Sequence, residues 1–197
     1  MEPLTDLGLT DLGLTGQDND AQFRLRESLN IFMTSSNEQP GFGRRGELLV
    51  ALQFVLMLIF AIAPVWHPGL SSALVADLLP ARLILAVPLA LAALVLAAMG
   101  SHHIRDYLTP LPYPVDHNRL VQHGVYALVR HPLYSSLLSA ALAWTLYTLS
   151  LSHLILLIVG FLFFDVKARK EEAWLSERHP EYHDYAKRVC KFIPYLY

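Results

Sequence analysis

The sequence predicts an all-α integral membrane protein with about four transmembrane helices and a cytoplasmic helical C-terminal tail. Three observations carry that expectation. The 197 residues are 54% hydrophobic and only 16% charged, with mean hydropathy +0.37, whereas soluble domains carry about 25% charged residues. Four apolar stretches approach the roughly 20 residues that a helix needs to cross a bilayer. The basic residues are sorted between alternate stretches. Composition also excludes classes. With 15 Lys+Arg against 17 Asp+Glu, the chain lacks the general basic face of a nucleic-acid binder. A single cysteine, Cys190, excludes an internal disulfide and any cysteine-based metal cluster.

Residues 1–46 read as a disordered or amphipathic N-terminal segment. The pentapeptide TDLGL occurs twice, at 5–9 and 10–14, and the first twenty residues hold five acids and no base, a low-complexity composition. A basic start followed by an apolar core is missing, so it is not a signal peptide. Residues 23–33 suit a short amphipathic helix on the membrane surface. Residues 41–46 match G-x-G-x-x-G, but a dinucleotide fingerprint needs a preceding strand and a βαβ unit. Here loop-like residues precede it and a membrane helix follows.

Residues 47–101 hold the first two spans. Residues 48–66 contain one polar side chain, Gln53, and residues 81–99 one charge, Arg82, at the edge. Pro64 and Pro88 fall inside these spans, which membrane helices tolerate. Residues 133–149 and 151–164 form two more, separated only by Ser150, and predict a tight hairpin over 132–166. The fourth span is short and must tilt little or lean on its neighbours. Fourteen of the fifteen basic residues then fall on one side, which places both termini in the cytoplasm. No ionisable residue lies deep in a span, unlike pumps and channels, so function is expected at the cytoplasmic face.

Residues 102–197 form the expected catalytic region. His102, His103, His117, His123 and His131 cluster there, but without a zinc-type spacing or cysteine partner, so no metal is expected. Pro132 suits the first position of the third span. His131 then stands near the N-cap, where backbone N–H groups and the helix dipole favour an anion, and Arg130 adds donors. This makes either a carboxylate or phosphate site, or a basic helix start touching headgroups. After the fourth span come Glu171 and Glu172. Neighbouring helix positions point about 100° apart, so one of the two at most is expected to face a given ligand, and Lys167–Glu171 suits a solvated i, i+4 pair. Tyr182 and Tyr185 suggest an aromatic ridge.

Taken together, Gly124-Val125-Tyr126, Arg130-His131-Pro132-Leu133-Tyr134, Glu171-Glu172, Tyr182-His183-Asp184-Tyr185 and Phe192-Ile193-Pro194 resemble the signature of the isoprenylcysteine carboxyl methyltransferase and phospholipid methyltransferase family of integral membrane enzymes. The likeness covers about residues 118–194. It implies S-adenosylmethionine as methyl donor, in a pocket completed by the C-terminal tail. Carried over, Gly124, Val125, Tyr126, Arg130, His131, Pro132, Tyr134, Glu171 and Glu172 would line the cofactor site, with Arg130, His131 and Glu172 as catalytic candidates. Ser136 departs from the family's glycine, and His179-Pro180 from a glycine-containing turn.

The implied function is methyl transfer to a carboxylate or amine of a lipid or isoprenoid-bearing small molecule at the cytoplasmic membrane face. An ionised carboxylate needs no base, and Arg130 would hold it. An amine needs one, which Glu172 or His131 would supply. Orientation alone contributes as much as ~7–11 kcal/mol to such reactions. Two alternatives stand beside this: an NADPH-dependent membrane reductase of sterol-reductase-like type, and a non-catalytic membrane adaptor. The lack of glycosylation sequons and of disulfides fits a bacterial inner membrane or the endoplasmic reticulum, and the small size favours the bacterial inner membrane.

Overall fold

A computed structural model describes residues 46–105 and 120–197. The TDLGL repeat, the 23–33 helix, residues 41–45 of the glycine run and His117 lie outside the described residues. Six α-helices occur among the described residues: α1 Glu47–Ile62, α2 Ser72–Asp77, α3 Leu79–His103, α4 Pro132–Thr148, α5 Leu151–Arg178 and α6 Tyr182–Arg188. A 3-10 turn, Gly124–Ala127, precedes α4. Of these, α3 and α5 are long and apolar enough to cross a membrane, and α1 is a shorter apolar helix.

The surface is inverted relative to that of a soluble bundle. Ile84 is 71% exposed and Leu94 66%, while the buried residues of α3 are Ala86, Ala93 and Gly100. Large apolar groups outside and small ones inside suit a helix that packs in lipid, where close backbone approach replaces hydrophobic driving force. The three small residues recur every seven positions, so they share one face. That face meets α4, whose buried Ser136 and Ala143 share the same spacing. A methyl added to Gly100 would come 3.1 Å from Leu133 Cδ2, so the junction is closed to larger residues. The Ser136 hydroxyl is satisfied within its own helix, donating to Leu133 O at 2.7 Å.

Pro64 does not lie inside the first helix. The helix ends at Ile62, with Ala63 already extended at ψ 136, because the residue before proline is sterically driven from helical geometry. Pro88 does lie within α3. The expected hairpin is present: Leu149 turns it in left-handed geometry (φ 49) and Ser150 caps α5. Ser150 Oγ also accepts from Trp66 N–H at 3.2 Å and contacts His153 Nδ1 at 2.8 Å. One hydroxyl thereby joins the chain after α1 to the α4–α5 turn. Replacing Ser150 by Ala is expected to lower thermal stability by the roughly 0.5–2 kcal/mol of a lost cap, with Thr retaining most of it. Unchanged melting of Ser150→Ala in detergent would show that the hub contributes nothing.

Candidate functional site

The motif residues converge at the start of α4. Gly124 opens the 3-10 turn with φ +63, and an added Cβ would collide with the His103 imidazole. Glycine is therefore demanded twice, by its backbone conformation and by the close approach. His103 packs here, with its ring 5.3 Å from that of His123. Val125 and Tyr126 are buried behind the turn. The Tyr126 hydroxyl reaches Gly100 O at 3.4 Å, and Tyr126 O accepts from the Tyr185 hydroxyl at 2.6 Å. Tyr182 and Tyr185 form an edge-to-face pair with centroids 5.7 Å apart.

The tail is stitched to the segment before α4. Arg130 N–H donates to Cys190 O at 2.8 Å and His131 N–H to Lys191 O at 3.1 Å, beside a parallel bridge between Val129 and Cys190. Pro132 takes the first helical turn and His131 the N-cap, as expected. The anion drawn to this position is supplied by the protein itself. Glu172 Oε1 lies 3.0 Å from Arg130 Nε, 3.0 Å from Arg130 Nη2 and 3.0 Å from His131 Nε2. Glu171 Oε2 accepts from the Tyr134 hydroxyl at 2.9 Å and lies 3.5 Å from His131 Nδ1.

Both glutamates therefore face one cluster, contrary to the expectation that one at most would do so. The imidazole presents a nitrogen to each, so the angular offset of adjacent helix positions is spanned by a single ring. The Lys167–Glu171 pair is likewise not a solvated surface pair. Lys167 is 2% exposed and its Nζ donates to Gln53 Oε1 at 2.5 Å. Arg130 is heavily engaged: Nη1 donates to Ala186 O at 2.8 Å and Val189 O at 2.6 Å, in addition to its contacts with Glu172. The guanidinium thus ties the tail to α5.

The sequence offers Lys167 only as a solvated partner of Glu171, and a second anchor of the tail escaped the sequence reading. Asp165 Oδ1 accepts from Lys191 Nζ at 2.7 Å and from the Tyr197 hydroxyl at 2.8 Å. An acid directly after an apolar run was the available signal. Aromatic packing completes the site: the His131 and Tyr134 rings stack with centroids 5.3 Å apart, and Tyr134 stacks on Phe164 at 5.0 Å.

Burial acts to lower the pKa of His131, but hydrogen bonds and charge from Glu171 and Glu172 outweigh it and the net direction is upward. The stability contributed by the imidazolium is fully present below the unfolded value of about 6.5 and is lost as pH rises through the higher folded value. Thermal stability of the full chain in detergent is therefore expected to fall as pH is raised above ~6.5, with that component of the fall missing in His131→Gln. Superimposable pH profiles for the two proteins would overturn the assignment.

A family model described as phospholipid methyltransferase matches residues 81–181. The cobalt-zinc-cadmium resistance protein CzcN of Cupriavidus metallidurans is 38% identical over 80 residues, 40% of this chain and 37% of that protein. A probable protein-S-isoprenylcysteine O-methyltransferase from Oryza sativa subsp. indica, and another from subsp. japonica, are each 34% identical over 83 residues, 41% of this chain and 44% of the relative. The chain spans about two-fifths of the length of these curated relatives.

Proposed function

We propose, from the premise that this chain belongs to the phospholipid methyltransferase family, that it is an S-adenosylmethionine-dependent membrane methyltransferase acting on a lipid or isoprenoid-bearing small molecule. The observation that carries the reading is the convergence of Arg130, His131 and Tyr134 with Glu171 and Glu172. These five come from two distant motifs and meet in one cluster under the tail.

The residues present fit the cofactor. Tyr182 is 3% exposed, and its hydroxyl has no hydrogen-bond partner among the described residues. An unsatisfied buried hydroxyl costs about 1–3 kcal/mol, which a polar ligand group would relieve. The two carboxylates suit a ligand carrying an ammonium, a sulfonium and ribose hydroxyls, and the Glu171 side chain keeps 27% exposure. Glu171, Glu172, Tyr134, Tyr182 and the Gly124–Tyr126 turn would hold it, with Pro132 and His131 shaping the wall. When bound, S-adenosylmethionine supplies a methyl group on a sulfonium, which an acceptor lone pair takes while the C–S electron pair stays on sulfur.

Arg130 acts as a positioning residue: its donors hold Glu172 and the carbonyls of Ala186 and Val189. His131 orients both carboxylates. For an amine acceptor, Glu172 or His131 would take the proton; a carboxylate acceptor requires none. The reading includes four spans with cytoplasmic termini, supported by fourteen of fifteen basic residues on one side, in a bacterial inner membrane. The family match favours methyl transfer over the NADPH-dependent reductase.

Calorimetric titration of the detergent-purified chain tests this. Saturable S-adenosylmethionine binding is expected, weakened at least tenfold in His131→Ala and Glu172→Ala and unchanged by deletion of residues 1–20. NADPH binding with none for S-adenosylmethionine would replace the reading by the reductase.

A further inference from the structure

A cavity of about 320 Å³ lies between α1, α4 and α5, lined by Gln53, Phe60, Leu137, Trp144, Leu156 and Phe164 among others. Small-molecule pockets run from about 300 to 1,000 Å³. The lining is almost wholly apolar, and Gln53 is its one amide. Gly160 also lines it, and a Cβ added there meets nothing within 4 Å, so the space beside the glycine is open. An apolar chain drawn from a bilayer suits this cavity.

The polar end of the cavity leads to a buried cation. Gln53 Oε1 accepts from Lys167 Nζ at 2.5 Å, and Lys167 is 2% exposed. Among the described residues the ammonium has that one hydrogen-bond partner, a neutral amide, and no carboxylate in ion-pair contact. Buried charges are otherwise paired, because desolvation without a counter-charge is costly. The same ammonium lies 5.3 Å from the centroid of the Tyr134 ring. The Tyr134 hydroxyl donates to Glu171, and its ring stacks on His131. Lys167 thus stands where the apolar cavity meets the carboxylate cluster. Neither the motifs nor the family match assigns it a role.

We propose that Lys167 is the specificity-determining residue for the methyl acceptor: its ammonium receives a carboxylate headgroup whose apolar chain fills the cavity between α1, α4 and α5. This rests on the methyltransferase reading for the meaning of "acceptor", though not for binding itself. Charge complementarity fixes the class of occupant. Glu171 acts on Lys167 only from beyond ion-pair distance, so a headgroup carboxylate supplies the contacting counter-charge and accepts its N–H donors, while a protonated amine is repelled and an ester offers no charge. Arg130, spent on Glu172 and the tail, is not required as the headgroup clamp.

The test uses brominated stearic acid, its methyl ester and the matched brominated alkylamine on the full-length chain in detergent. Quenching of Trp144, which lines the cavity, is isolated by difference against Trp144→Phe. The acid is expected to quench saturably and to bind at least tenfold more tightly than the ester or the amine. Lys167→Met is expected to abolish that preference, Lys167→Arg to retain it, and Gly160→Leu to weaken all three probes by filling the cavity. Equal binding of acid, ester and amine by the unmutated chain overturns the proposal without recourse to any variant, and so does an acid preference that survives in folded Lys167→Met. Calorimetry with S-adenosylmethionine runs in parallel on each protein. Failure of the unmutated chain to bind it removes the methyltransferase reading while leaving the quenching result to decide Lys167 as a lipid-carboxylate site.

Discussion

One carboxylate oxygen holds the candidate site together. Glu172 Oε1 receives Arg130 through two nitrogens and His131 through a third, all at 3.0 Å. These three side chains come from the segment entering α4 and from the cytoplasmic-side extension proposed for α5. Through Arg130 Nη1 the same junction reaches the carbonyls at the end of α6. Charge-assisted bonds of this kind are about twice as strong as neutral ones. They are stronger still where surrounding apolar groups lower the local dielectric. Removing Glu172 takes from Arg130 and His131 the carboxylate they share, leaving Arg130 the carbonyls of Ala186 and Val189 and His131 the second carboxylate, Glu171.

The tail is held by independent means as well. Backbone bonds from Arg130 and His131 to Cys190 and Lys191 depend on no side chain. Ser135 Oγ donates to Phe192 O at 2.8 Å, and the Phe192 ring packs into the buried cluster of Phe164 and Ala168. Asp165 adds Lys191 and Tyr197. This docking accounts for Phe192 and Tyr197, which pack beside the site, whereas Tyr195 is 94% exposed.

Much of this was legible in the sequence. Hydropathy is a local property, so the spans at 81–99 and 133–149 nearly coincide with α3 and α4. Pro132 announced its own helix start, because a missing N–H costs nothing there. The seven-residue recurrence of Ala86, Ala93 and Gly100 was equally present in the sequence, and small residues at that spacing mark a helix seam. What could not be read is whatever depends on distant partners. Lys167 looks like an ordinary surface base until Gln53, 114 positions away, is seen beneath it. The two glutamates seem to diverge until one imidazole is found between them.

The attachment of α1 has a mechanical consequence. This helix has no buried residue and is fastened near its middle by Gln53 to Lys167 and just beyond its C-terminal end by Trp66 to Ser150 and Leu151. Between those two fastenings it rests on the cavity only through apolar contacts, by way of Leu56, Met57 and Phe60. Its C-terminal half is therefore a short beam pinned at Gln53 and at Trp66. Bowing between those two pins trades apolar protein contacts for equivalent contacts with hydrocarbon, so lateral passage at this wall carries a small energetic barrier while the pins stay in register.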